Sequence, residues 1–405
     1  MSIGVRRLTA NDDLEPELDL GQRAFGPFSA DERSRRLVSV RASTAAGRLL
    51  AAFDGPAMVA SARYFDMRQW WHGRSLPMAG VAGVKAAPEA QGRGVGRALM
   101  TGLLEQVAAE GYPLSALYPA TSALYRSVGW EMAGGQYDIT VPARSLRSLQ
   151  PPDPLSAAPD APAGSVRRAG PADAAEIIAL DSELQAAARH CGPATFDAAT
   201  LAGLLDDPGI FCYLAPDGLL SYQWNRGGDE VLAYRVQAGS AATARALWSI
   251  LASHGTMVSG VRAFVNPADP VSWLVREPDV TLHRREMWML RLVDAPAAIA
   301  GRGFPESAAL ATPLSLRDAE LPANSGQWML EIGGGKGSLN RASPEPVPAS
   351  SAGPLRLGAR GLAAMYAGTP LATLRQAGLA AGGEPGADPA LDQAFAGTAY
   401  MFDYF

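Results

Sequence analysis

Cysteine is nearly missing from this chain: Cys191 and Cys212 are the only two among 405 residues. Two thiols cannot build the disulfide framework of a small secreted domain, so they read as free thiols in a reducing compartment. Histidine is almost as scarce. His72, His190, His254 and His283 are scattered, without metal-ligand spacing and without a serine or cysteine partner, so no metal is expected. Basic charge is not in excess either, the formal net charge being -5; that argues against nucleic acid and against a polybasic membrane patch. No apolar run reaches the length of a membrane span, and the opening MSIGVRRLTANDDLEPEL lacks a signal-peptide core. These absences point to a soluble, cytoplasmic protein with no membrane partner.

What is present is core material. With 48% hydrophobic and 19% charged residues the chain can bury sizeable cores, and its length suits two or three domains. The stretch that organises it is residues 78–100, MAGVAGVKAAPEAQGRGVGRALM. Met78 to Ala86 reads as a buried strand that Pro88 ends, since proline cannot donate to a sheet ladder. Gln91-Gly92-Arg93-Gly94-Val95-Gly96-Arg97 follows, and then Leu99, Met100, Leu103, Leu104 and Val107 at helical spacing. Strand, glycine-rich turn and helix together make an anion cradle. Glycines let backbone N–H groups approach a ligand, the helix N-terminus adds partial positive charge, and Arg93 and Arg97 can bond phosphate oxygens. The expected ligand is a pyrophosphate. A dinucleotide fingerprint is excluded because Arg97 stands where the third glycine should be, and a phosphate loop of the Gly-Lys-Ser/Thr type is absent.

The remainder is read in chain order. Strands are expected at Val5–Leu8, 49–53 and 58–66, helices at 14–25 and from Asp31 to about 40. Trp70 and Trp71 precede the central strand; adjacent in sequence, they point to opposite faces, so at most one could line a pocket, and packing is the simpler reading. Leu114–Tyr118 reads as a short strand parallel to the first, Leu124–Trp130 as a short helical segment, and Gln136–Val141 as a strand. QPPDPLSAAPDAPAG at 150–164 is a linker by composition. From 165 to 293 a second α/β unit repeats the strand-then-helix order at 232–253, with Gln237-Ala238-Gly239-Ser240 at the turn; it reads as a degenerate copy without cofactor binding. A third unit covers 304–405. Its Gly333-Gly334-Gly335-Lys336-Gly337 lacks phosphate-loop spacing and reads as a hairpin turn, residues 344–354 as a mobile loop, and the aromatic end Tyr400-Met401-Phe402-Asp403-Tyr404-Phe405 as a tail buried in a cleft between the first and third units.

Gln91-x-x-Gly94-x-Gly96 after a strand with Val-x-Ala looks like the coenzyme A loop of the GNAT superfamily. Adding Leu124-Tyr125-x-x-x-Gly129-Trp130, the degenerate second copy, the small third unit and the terminal phenylalanine, the chain resembles the enhanced intracellular survival (Eis) family of bacterial N-acetyltransferases along its whole length. The resemblance implies an α/β fold of tandem GNAT-like mixed sheets, residues 1–149 and 165–293, then a sterol-carrier-protein-like domain. It implies acetyl-CoA as cosubstrate, a primary amine of a small molecule or lysine side chain as acceptor, and a homo-oligomer, a hexamer in the family. Val84, Lys85 and Ala86 fall on the strand that pairs with pantetheine, Gln91 to Arg97 on the pyrophosphate loop, Tyr125 on the general acid and Phe405 on the terminal carboxylate that enters the active site as base. Two departures, Tyr404 in place of an acid and Phe25-Gly26-Pro27-Phe28 without an aspartate, argue against a polycationic acceptor.

The chemistry suits these residues. A phenol donating to a departing thiolate works uphill by roughly 2 kcal/mol from reference values, small against a catalytic barrier. Tyr118 is the neighbouring candidate for the same task. The competing expectation is a coenzyme A or lipid-binding sensor without transfer, or a subunit that kept the fold alone.

Overall fold

The computed structural model describes residues 3–147, 149, 165–225, 227–277, 279–342 and 353–405. The linker at 150–164 and most of the loop at 344–354 lie outside these residues.

The first unit runs β1 (Gly4–Arg7), α1 (Glu15–Phe25), α2 (Ala30–Ala45), β2 (Leu49–Asp54), β3 (Ala57–Trp71), β4 (Arg74–Ala86), α3 (Val95–Ala109), β5 (Leu114–Leu117), α4 (Ser122–Ser127) and β6 (Glu131–Pro142). Helix α2 outlasts its expected end near residue 40. Ser29 and Glu32 form a reciprocal cap at its start, and Val40 and Thr44 are buried beyond its middle, so packing carries it on. Strand β3 also exceeds expectation: it runs on through Trp70 and Trp71, which precede β4 as expected, and both are buried. They are packing residues, with Trp71 edge-on to Trp288 and Tyr366. Strand β5 is parallel to β4, not to β1 as expected, pairing Met78–Val81 with Leu114–Leu117. Helix α3 is the crossover that a parallel pair of strands needs.

The first two units share one sheet. Its order is β1-β2-β3-β4-β5, then the strand Thr281–Leu292, then β6, then Gly260–Phe264, Val231–Ala238, Gly218–Trp224, Ile210–Ala215 and Arg167–Ala169. The last strand of the second unit is thus inserted between two strands of the first, antiparallel to both. Cys191–Phe196, absent from the sequence reading, adds a further strand against β3.

The third unit has a separate five-stranded sheet, Lys336–Arg341, Gly326–Gly333, Leu310–Arg317, Leu355–Gly358 and Ala380–Gly382 in that order. Gly334 and Gly335, at φ of 54° and 72°, form the two-residue hairpin turn between the first two of these strands, as the sequence predicted. The core of this unit is continuous with Met67, Trp71, Leu76 and Met78 of the first. Arg302, 1% exposed, sits in that junction. It donates to the carbonyls of Tyr366 at 2.6 Å and Phe395 at 3.2 Å, and faces the rings of Trp71, Phe304, Tyr366 and Phe395. Carbonyls and ring faces offset the cost of burying the charge. No described helix is long and apolar enough to cross a membrane.

Candidate active site

Strands β4 and β5 part company after Val81 and Leu117, so Ala82–Ala86 has no strand on that side among the described residues. On the other side the register slips: Arg63 pairs with Ala82 but Ser61 with Lys85, so Gly83 and Val84 together face one residue of β3. Gly83 takes φ 60° at this bulge. A bulge beside an unpaired edge re-aims backbone N–H and C=O groups, here those of Val84 to Ala86, into the opening between the strands. The family resemblance implies pantetheine pairing at these residues.

The loop from Gln91 leads out of that opening. Gly92 and Gly94 have φ of 74° and 77°, and a Cβ at either would meet nothing within 4 Å, so the surface above them is open. The first helical hydrogen bond of α3 runs from Ala98 N–H to the Gly94 carbonyl. The N–H groups of Val95, Gly96 and Arg97 therefore have no acceptor within the helix. The chain fits a pyrophosphate here. Arg93 and Arg97 flank the loop, but each also meets a carboxylate, Arg93 with Asp54 at 2.6 Å and Arg97 with Glu320 of the third unit. Both guanidiniums are nearly half exposed, so these pairs are cheap to exchange for phosphate oxygens.

Lys85 differs from its neighbours. Its side chain turns toward α1 and pairs with buried Glu17. Burial lowers the lysine's pKa, and Glu17 counters that. Only the backbone of Lys85 is left to serve a ligand in the opening.

Tyr125 sits on α4, and α3 approaches α4 closely because Gly96 has no side chain: a Cβ there would stand 3.3 Å from Leu124. The Tyr125 side chain is buried, and its hydroxyl has no hydrogen-bond partner among the described residues. Burial first, and then Tyr404, push the phenol up to about 12. It stays protonated at neutral pH. Against a free thiol of about 8.5 the transfer is uphill by roughly 5 kcal/mol, more than the reference values suggested. Burial of a thiolate in the same opening raises the thiol as well and narrows the gap.

The C-terminal tail reaches this opening, but its walls are not those expected. It runs between the first and second units, although it belongs to the third. Tyr400–Met401 pairs in parallel with Gly135–Gln136 of β6. Gln136 Nε2 donates to the Phe402 carbonyl at 2.7 Å, and the Tyr118 hydroxyl donates to the Asp403 carbonyl at 2.8 Å. The Asp403 carboxylate pairs with Arg235 of the second unit, which also holds Asp181 at 3.0 Å. Tyr404 and Phe405 then lie against the Tyr118 ring at centroid distances of 4.5 and 5.6 Å. The Phe405 ring rests on Gly80, where a Cβ would stand 3.0 Å from it. Tyr118 is thereby occupied in holding the tail. Arg235, Gln136 and Asp403 were missed by the sequence reading; a single acid inside an aromatic run was the one available signal.

Arg63 was also missed. On β3 beside the bulge, its Nη1 donates to Ser39 Oγ at 2.7 Å, and its buried Nε has no partner. No carboxylate is within ion-pair distance of it among the described residues. Burial lowers its pKa, Glu17 partly offsets this, and Arg36 adds to the lowering. Its guanidinium lies 5.3 Å from the centroid of Phe65, which packs edge-on to Phe196. The histidines form no metal cluster among the described residues.

A split sheet, an open glycine loop at a helix start and a buried phenol beside the split define a transferase that handles an acyl-coenzyme A. Known proteins agree. Residues 5–133 and 204–292 each match a family described as acetyltransferase (GNAT) domain, and 295–402 match a sterol carrier protein domain. A GCN5-related N-acetyltransferase from Kribbella flavida is 41% identical, with a TM-score of 0.90 over 100% of this chain and 98% of that one. An uncharacterized N-acetyltransferase from Streptomyces avermitilis is 28% identical over 94% of both chains. A mycothiol acetyltransferase from a Nocardioides species is 30% identical over 50% of this chain and 69% of its own. The chain belongs to the GCN5-related N-acetyltransferases, enzymes that take their acetyl group from acetyl-CoA. It has the Eis-like order of parts: Eis1 of Mycobacterium abscessus, 22% identical, shares the fold with a TM-score of 0.77 over 99% of this chain and 100% of that one.

Proposed function

We propose that this enzyme acetylates a primary amine by direct attack, with Tyr125 as general acid and the α-carboxylate of Phe405 as general base. Acetyl-CoA supplies the acetyl group as a thioester. The loop Gln91–Arg97 binds the pyrophosphate through the N–H groups of Val95 to Arg97 and the two arginines. The backbone of Val84 to Ala86 pairs with the pantetheine, and an N–H near Val84 holds the carbonyl oxygen as negative charge develops on it. The Phe405 carboxylate takes a proton from the acceptor ammonium, and the free amine that results attacks the thioester carbon. As the carbon–sulfur bond breaks, Tyr125 gives its proton to the sulfur, and the second proton, shed by the new amide nitrogen, restores the phenol.

The observation that carries this reading is where the tail ends: the Phe405 ring covers Gly80 on β4 just before the strands part, and the Tyr404 and Phe405 rings lie on Tyr118 at the end of β5. Arg63 and Arg36 favour an acceptor that also bears a negative group, because half-buried Arg63 has no carboxylate at ion-pair distance among the described residues and Glu17 only partly offsets its burial. In the same reading the enzyme is a homo-oligomer of the cytoplasm.

The test is one glycine added after Phe405. It should leave acetyl-CoA affinity at the parent value and abolish transfer. Turnover near the parent value, per folded molecule, would reduce the tail to a packing element.

A further inference from the structure

The second unit repeats the strand, turn and helix of the cofactor site as Val231–Ala238 and Ala241–Ala252. Here the helix start is closed. Ser240 Oγ accepts from the Thr243 N–H at 3.2 Å, and no arginine stands in the turn Gln237-Ala238-Gly239-Ser240. Beside the turn lies a cleft of about 380 Å³, walled by Leu184, Val236, Trp248 and Phe402 among others.

Three polar groups on this cleft have unmet hydrogen-bonding capacity among the described residues. Gln237 Oε1 and the Tyr400 hydroxyl are buried without a hydrogen bond, in residues 8% and 1% exposed. Asp269 accepts the Val271 N–H at 2.9 Å through one carboxylate oxygen, and the other has no partner among the described residues. His190 also faces the cleft, but both its ring nitrogens are engaged, with Gln185 at 2.7 Å and Asn266 at 3.1 Å. No lysine or arginine lines the cleft among the described residues.

We propose that this cleft binds a small organic cation, an amine on an apolar body, with its N–H toward Asp269 and Gln237 Oε1. Two acceptors with unmet capacity, and a phenol oxygen that can also accept, set among apolar walls with no lining lysine or arginine among the described residues, are the complement of such a group. Burial pushes the Asp269 carboxyl up to about 7, because no cation offsets its desolvation; a bound ammonium supplies that charge. An anionic ligand meets the Asp269 carboxylate with no lysine or arginine among the described lining residues to offset it. A single water, at roughly 30 Å³, occupies a small part of the space. Two of the walls, Tyr400 and Phe402, lie on the tail segment that ends in Phe405, so an occupant touches the chain that reaches the active site. The proposal does not rest on the roles given to Tyr125 and Phe405.

The probe is N,N-dimethylbenzylamine, a tertiary amine that cannot be acetylated, titrated into the full chain at pH 8 by calorimetry, with phenylacetate as the anionic control. One saturable site per chain is expected for the amine and none for phenylacetate. Asp269→Asn should weaken the amine by about tenfold or more. Ala187→Trp, an exposed position at the cleft, should block it, and the chain extended by glycine after Phe405 should bind as the parent does. Amide exchange at residues 399–402 should slow when the probe is bound. Phenylacetate binding equally well, undiminished binding in Asp269→Asn or Ala187→Trp, or no saturable site at millimolar probe would each overturn the proposal.

Discussion

The Tyr118 hydroxyl donates to the backbone carbonyl of Asp403 at 2.8 Å, across 285 residues of sequence. That bond ties the end of β5, where the sheet begins to split, to the last residues of the chain. It also gives the Tyr118 hydroxyl a partner. Its hydroxyl is spent on the tail, and burial and the nearby Asp403 drive its pKa well above the ordinary phenol value. Tyr125, whose hydroxyl has no partner among the described residues, is the phenol we propose for proton transfer.

Tyr125→Phe should bind acetyl-CoA as the parent does and turn over about 10²–10⁴-fold more slowly, the usual worth of a general acid. Calorimetry and steady-state kinetics separate the two effects. In the parent, kcat should show no alkaline fall from this group until pH nears its raised value of about 12. Equal turnover in both proteins would make Tyr125 a packing residue.

Gly80→Ala asks whether the Phe405 ring must lie on β4. The added methyl would stand 2.6 Å from Met67 Sδ and 3.0 Å from the Phe405 ring. The methionine can move, but the ring is held by Tyr118 and the tail. Turnover should fall at least about tenfold with acetyl-CoA affinity unchanged, accompanied by a stability loss of about 1–3 kcal/mol for overpacking. Full activity in a folded variant would separate the ring's position from catalysis.

Arg63→Met keeps the length and apolar stem of the side chain while removing its charge. For acceptors bearing a carboxylate or phosphate, KM should rise by about tenfold or more, the worth of a charge-assisted hydrogen bond. Neutral amines should be used as well as before or better. If the variant raises KM equally for both classes, Arg63 shapes the pocket without reading charge.

Asp269 makes a prediction about pH. Its carboxyl is raised to about 7 in the folded chain, above an unfolded value of about 3.9. Its contribution is therefore fully present below the unfolded value and is lost as pH rises through the folded one. Asp269→Asn retains an acceptor for the Val271 N–H and carries no charge. It should melt above the parent at pH 8, with the difference shrinking toward pH 5. A difference that does not vary with pH would mean that the carboxylate is not desolvated.

What the sequence determined by itself was local. The run from Met78 to Met100 encodes strand, open turn and helix within a few residues of one another, because glycine backbone freedom, the proline stop and helical spacing all act at short range. The hairpin at Gly334-Gly335 is legible for the same reason, and so is the short helix that carries Tyr125. Tertiary structure alone decided how these parts meet. Thr281–Leu292 inserts between β5 and β6, Glu320 of the third unit reaches Arg97, and Arg235 of the second unit anchors Asp403. Each of these contacts joins an ordinary strand edge or one arginine among many to a partner far along the chain. Nothing near either residue marks the choice, since strand edges and ion pairs are chemically interchangeable until packing brings one pair together. For that reason the aromatic tail could be read as buried from its composition, while the two units that bury it could not.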